Sequence, residues 1–544
     1  MAWAQWQQAG TRPADVEPLV EPAAPSGESG RRSASSQFSL PGLLGTLEIA
    51  PEDARGEARN SLLAAQTLPE SLRAWALIRL PVGVRVSREQ LQMLLGEDIA
   101  MLDAALARQV DAILHQPVLQ QLESSWRGLA FLVDQAEQAQ DDCLGISRIE
   151  VRVLSASKRD LRRDHDNAVE FDRSQLWRKV YEDEFGTPGG TPYGLLVTDH
   201  EFSNRPDDVD LLSGLAEVSM ASFAPLLATP SASLLGLDDI GDLQAHVSSS
   251  VMRTAPEYAK WRTLRSRDEA RFVGMPLPRV LGRLPYDGWL GRPDAEGGAE
   301  NTWSQRGFRY CENQEAVDGR KKLWISAVWP LAGVILREFG RSGWFADIRG
   351  GSRVAAGAGV ADGLLTEGFE GLGSGRVRGP VEAFVTDAVQ GDLEECGFIP
   401  LCSSLADGKA VFHSNSSLRK RDVYDDPQAT ANAAISSMLQ YVLCVSRFAH
   451  YLKVLGRDKV GGFRDAADLK LYLSNWITEY VTPDDDASSE TRAKMPLRAA
   501  EVEVSEDPGV SGTYRIIMRL QPHFQIDRLD ATLRLVSTIK RHAR

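Results

Sequence analysis

Two clusters of carboxylates are the first residues of this 544-residue sequence that could do chemistry. Asp160, Asp164, Asp166, Glu170 and Asp172 offer the oxygen donors a hard cation takes. The glycine that an EF-hand loop needs at its sixth position is missing, and Arg159, Arg162 and Arg163 interleave with the acids. A solvated helix face with local ion pairs accounts for the same residues. Asp199, Glu201, Asp207, Asp208 and Asp210 follow an apolar run at 193–198. Carboxylates at a strand's C-terminal end are where α/β enzymes place catalysis; they also serve as caps for a following helix.

Other catalytic patterns are missing. GxxxxGK[ST], GxSxG and HExxH do not occur, so the sequence shows no P-loop, nucleophile elbow or zincin helix. The glycine run at 371–375 lacks the GxGxxG spacing and reads as a linker. The eight histidines are scattered, without a metal-ligand pair at i,i+2 or i,i+4. Five cysteines with no CxxC suggest neither a disulfide framework nor a zinc knuckle, and point to a reducing compartment. The expectation is no catalytic residue, no cofactor and no metal.

Arg447, His450, Lys453 and Arg457 recur at three- and four-residue spacing, so one helix face carries them. They read either as a polar face with ion pairs or as a contact strip for a partner.

The elements that must position these residues follow from apolar periodicity. Residues 10–40, rich in Pro, Ser, Gly and Ala, read as a flexible arm. Residues 76–80 (ALIRL) suggest a short strand stopped by Pro81. From 88 to 136 the spacing predicts helix: Leu91, Leu95, Ile99, Leu102, Leu106, Val110 and Ile113 mark a face to be buried, with a break at Pro117. Ile149, Val151 and Val153 alternate as a strand would. A helical stretch at 158–184, a buried strand at 193–198 and a helix at 209–227 complete an α/β middle region. Residues 350–379 hold ten glycines and no regular period, as a loop or inter-domain segment would. A long amphipathic helix over 435–455, a second over 469–480 and strands at 501–505, 513–520 and 531–537 make the C-terminal part α+β.

Composition narrows the class. Hydrophobic residues make up 43% and charged residues 25%, as in ordinary globular chains. The net charge of −14 argues against general nucleic-acid binding, which needs a basic footprint. The longest apolar run, 327–336, is too short to span a bilayer and contains Pro330. The N-terminus has no signal-peptide pattern. A soluble, cytoplasmic protein is expected, without membrane insertion.

Several strings in order carry a more specific message. They are LESSWRGL at 122–129, EFGTPGGTPYG at 184–194, TDHEF at 198–202, YAKWRTLR at 258–265 and LPRVLGRLPY at 277–286. GFIPL at 397–401, SRFAHYLK at 446–453 with RDK at 457–459, PLRAA at 496–500, and PHFQ at 522–525 with LRLVS at 533–537 complete them. Over about residues 88–537 the chain resembles the large contractile-sheath subunits of type VI secretion, the TssC/VipB (ImpC/EvpB) family.

The resemblance implies a structural protein of a Gram-negative cell. It would pair with the small sheath subunit (TssB/VipA) and with further copies of itself, and polymerise around the Hcp inner tube above a baseplate. Contraction would drive the tube and spike outward, and the ClpV unfoldase would recycle the sheath. The C-terminal region would resemble phage tail-sheath proteins, with strands shared between subunits. Candidate exchange strands are Leu77, Ile78 and Leu80 at the N-terminal side. At the C-terminal side they are Tyr514, Ile516, Met518 and Leu520, with Leu533 and Leu535. The implied organisation is an arm (1–40), a linker with an exchange strand (41–87), a helical and α/β sheath region (88–349), a Gly-rich loop (350–379) and a C-terminal α+β domain (380–544). Residues 1–75, 287–320, 350–378 and 538–544 depart from the family's pattern. Two rivals stand beside this reading: a non-polymerising scaffold or baseplate-like component, and an α/β hydrolase using the carboxylates at 199–210.

Overall fold

The computed structural model describes residues 54–80, 86–141, 149–187, 190–244, 249–286, 310–312, 322–345, 347–350, 359–368, 377–403, 409–422, 424–459, 466–484, 487–506, 513–523 and 533–540. The flexible arm expected at 1–40 lies outside them. The chain divides into two compact units, residues 1–100 and 101–544.

The first unit holds α1 (Ala54–Ala64), α2 (Leu68–Arg79) and the start of α3 (Arg88–Leu114). Here the structure corrects an expectation: Leu77 and Ile78 are helical, and Leu80 is the residue that caps the helix, so 77–80 is no strand. The cause is local. Pro69 lies in the first turn, and the Glu70 carboxylate accepts the backbone N–H groups of Gln66 and Thr67, which starts a helix. Asp98 then holds it, accepting from the Trp75 indole at 2.9 Å and pairing with Arg79 at 3.2 Å.

The second unit opens with the rest of α3 and α4 (Pro117–Asp141), which restarts at Pro117 as the sequence suggested. No strand forms at 149–153. Ile149 N–H donates to the Gln140 side chain, and no strand pairs with the alternating residues among the described ones. After α5 (Lys158–Asn167), short helical turns over 171–185 include a π-helical turn at Arg178–Glu182. Then come β1 (Leu196–Phe202), α6 (Pro206–Ser222) and β2 (Leu226–Pro230), followed by α7 (Ser249–Thr254), α8 (Ala259–Ser266) and β3 (Val273–Gly274).

β1, β2 and β3 pair in that order as a parallel sheet. Alternation along β2 sends Leu226 and Ala228 into one apolar core and Leu227 into another, so both faces are covered. A second sheet runs β4 (Pro276–Leu277), β10 (Ile399–Ser403), β11 (Ala410–Phe412) and β7 (Val360–Ala361). Buried Val360 and Ala361 pair with β11, so the glycine-rich stretch is not loop throughout. It also supplies β8 (Glu367–Gly368) and β9 (Val377–Arg378), which pair with each other, while β5 (Val280–Leu281) pairs with β6 (Trp324–Ile325).

α9 (Val328–Ser342) lies against α4. A Cβ at Gly128 would collide with the Trp329 indole, and one at Gly340 with the Ala139 carbonyl. Glycine at both points lets the two backbones approach closely.

The C-terminal part begins after α10 (Asp387–Glu395) and α11 (Pro427–Ser436). It comprises α12 (Leu439–Lys459), α13 (Ala466–Thr478), α14 (Ser489–Lys494) and the meander β12 (Leu497–Glu506), β13 (Thr513–Pro522), β14 (Leu533–Lys540). A third core joins Phe448 and Leu452 of α12, Leu473 and Ile477 of α13, and Ile516, Met518 and Leu520 of β13. The whole is mixed α/β and α+β, as the sequence indicated.

Candidate assembly interface

β13 alternates cleanly. Tyr514, Ile516, Met518 and Leu520 are buried, while Arg515 and Arg519 are exposed. It is the middle strand, and this chain's own β12 and β14 occupy both of its edges. The four buried candidates therefore build the core and have no free edge to offer. Leu533 and Leu535 lie in β14, opposite Leu520 and Met518; their side chains fall outside the described ones. β14 ends the sheet, so its outer edge has no strand beside it among the described residues. β12, at the other end, carries a single bridge from Val481 to Leu497.

Arg447, His450 and Lys453 of α12 pack among aromatic rings, where a polar face with ion pairs or a contact strip for a partner was expected. Arg447 is partly buried, with its guanidinium 4.5, 5.7 and 4.9 Å from the ring centroids of Phe339, Trp344 and Tyr451. It donates to the Tyr451 hydroxyl at 2.6 Å, and its Nε finds no acceptor among the described residues. His450 is buried between Phe185 and Phe223. Burial holds its imidazole down at about 4. Lys453, partly buried, lies among Tyr181, Phe185 and Phe223, and burial lowers its ammonium to about 8. Arg457 belongs to the same helix, and its side chain lies outside the described ones. The correction has a simple cause. Spacing places the four residues on one face, but facing aromatic rings offer a cation an alternative to water. Those rings come from distant segments, and no local sequence signal marked Tyr181, Phe223 or Trp344 as partners.

α3 departs from expectation in the opposite sense. None of its residues is buried, although its apolar periodicity predicted a buried face. Ile99, Leu102 and Ile113 stand exposed, and so do Val118, Leu122 and Trp126 of α4.

Several carboxylates of the two clusters serve structure. Asp160 forms a capping box with Ser157, and Asp164 accepts from the backbone N–H groups of Gln175 and Leu176. Asp208 binds Ser203, Lys158 and Arg162. Asp210 pairs with Lys260, and Asp199 accepts from Ser125. No group of three or more potential metal ligands is found among the described residues. No helix among them is long and apolar enough to cross a membrane.

Comparison with known proteins accounts for both halves of this architecture. The tail sheath N-terminal domain of EvpB/VC_A0108 matches residues 96–419, and its tail sheath gpW/gp25-like domain matches residues 428–539. The chain is 37% identical over 445 residues to the type VI secretion system sheath protein TssC1 of Pseudomonas aeruginosa, covering 81% of this chain and 85% of that protein.

Proposed function

The chain belongs to the EvpB/VC_A0108 tail sheath family, as a large sheath subunit of type VI secretion, and from that premise we propose how it works. It pairs with the small sheath subunit, and the pairs polymerise with further copies of themselves into a cytoplasmic sheath around an Hcp tube. The sheath stands on a baseplate, contracts to drive the tube out of the cell, and is returned to subunits by the ClpV unfoldase. The family is structural, and its members are not enzymes.

One observation carries the assembly step: the outer edge of β14 has no strand beside it among the described residues. An open edge presents a row of backbone donors and acceptors that another chain can complete. Addition of a neighbouring subunit's strand there extends the sheet without disturbing the core under β13. This reading moves strand exchange from the 77–80 segment and from β13 to the sheet's ends.

The test is co-expression with the small sheath subunit, followed by negative-stain electron microscopy. Long hollow tubes are expected. Discrete, stable particles would shift the function to a non-polymerising scaffold.

A further inference from the structure

The rings that hold the basic row of α12 connect the chain's two family domains. Arg447, His450 and Lys453 belong to the C-terminal domain. Tyr181, Phe185, Phe223, Phe339 and Trp344 belong to the N-terminal one. The Lys453 ammonium lies 4.6, 5.2 and 4.7 Å from the centroids of Tyr181, Phe185 and Phe223 and donates to the Tyr181 hydroxyl at 3.1 Å. No carboxylate pairs with Lys453 or Arg447 among the described residues.

Two unusual backbone features bring the rings there. Tyr181 sits in the π-helical turn Arg178–Glu182; such turns are rare and collect at functional positions. Phe223, which ends α6, has φ of 56°, and no other non-glycine residue among the described ones has positive φ. A bulky side chain in the left-handed region persists only where its surroundings hold it.

A desolvated carboxylate pair is hard to separate once formed. Ring faces attract a cation through their quadrupole and demand no single partner. We propose that Tyr181, Phe185 and Phe223 form a releasable catch, in which the caged ammonium of Lys453 fixes the long helix of the C-terminal domain to the N-terminal domain. Burial lowers the Lys453 ammonium to about 8, so the ring faces hold a cation that desolvation disfavours.

Hydrogen–deuterium exchange of the full-length chain tests the catch. Lys453→Met keeps the aliphatic length and removes the charge, and Tyr181→Leu opens the cage. Both are expected to speed exchange about tenfold over 439–459 and 497–522 and to leave 196–230 unchanged. Lys453→Arg, which retains a cation, is expected to restore most of the protection. Wild-type exchange in Lys453→Met would overturn the proposal, because the charge would then be dispensable. Uniform acceleration across the chain in all three variants would also overturn it, reducing the site to ordinary core. Should these variants not fold, Phe185→Leu, which removes one ring of the cage, decides. Faster exchange over 439–459 is expected, and wild-type exchange there would sink the idea.

Discussion

The His450 imidazole donates from Nε2 to the carbonyl oxygen of Ser222 across 2.9 Å, tying α12 to the last turn of α6. A carbonyl only accepts, so the proton on this neutral ring sits on Nε2. Burial favours the neutral form and holds the imidazole at about 4, against 6.5 for a free one. Between these values the unfolded chain binds a proton that the folded chain refuses. Stability is therefore present above pH 6.5 and is lost as pH falls towards 4, by up to about 3 kcal/mol. Denaturant midpoints between pH 4 and 7 check this. His450→Gln should flatten the slope in that window, and an unchanged slope would assign it to other groups.

Glu338 has the opposite sign. Burial, with Asp347 nearby, pushes its carboxyl up to about 8, while Ser342 donates to it at 2.9 Å. Below pH 4.5 both folded and unfolded chains hold the proton. As pH rises towards 8 the unfolded chain ionises first, and the fold loses stability. Glu338→Gln removes that loss. The variant is expected to match the parent near pH 4 and to melt several degrees higher at pH 8. Equal melting temperatures at pH 8 would refute the assignment.

Gly128 is where α4 meets the Trp329 indole. Gly128→Ala gains helix propensity of about 1 kcal/mol. It also drives a methyl group into a filled contact, where overpacking costs about 1–3 kcal/mol. A net loss of stability by chemical denaturation is expected. Gly96→Ala, with nothing near its added Cβ, should be neutral or stabilising and serves as the control.

β14 permits a separation of folding from assembly. Val536 lies opposite Ile517, and Ser537 opposite Ile516. Successive N–H groups along an antiparallel strand point to opposite edges. Proline at one of these two positions removes a bond to β13, and at the other it removes only an outward donor. One substitution is expected to lower the melting temperature. The other should leave the isolated chain folded while blocking tubes with the small subunit. Normal tubes from the well-folded variant would show that the outer edge is not used.

Where structure is local, the residues announced it. Pro117 restarts a helix, and β13 alternates between core and surface. Each depends on backbone geometry within a few residues. The 76–80 segment misled because so short a run of four apolar residues and one arginine suits either structure, and the deciding signal lay upstream at Pro69 and Glu70.

The sequence by itself determined the helix and strand content of the C-terminal part, the lack of catalytic patterns, and, through nine ordered strings, the sheath family. These are properties of composition, period and short-range chemistry. Only the tertiary structure decided which faces are covered. The periodic apolar face of α3 is left without a buried residue, and His450, polar by type, goes inside. The physical reason is that burial depends on the opposing surface. Rings from positions 181, 185, 223, 339 and 344 meet α12 only after the chain has folded, and a helix's own residues carry no record of what it will face.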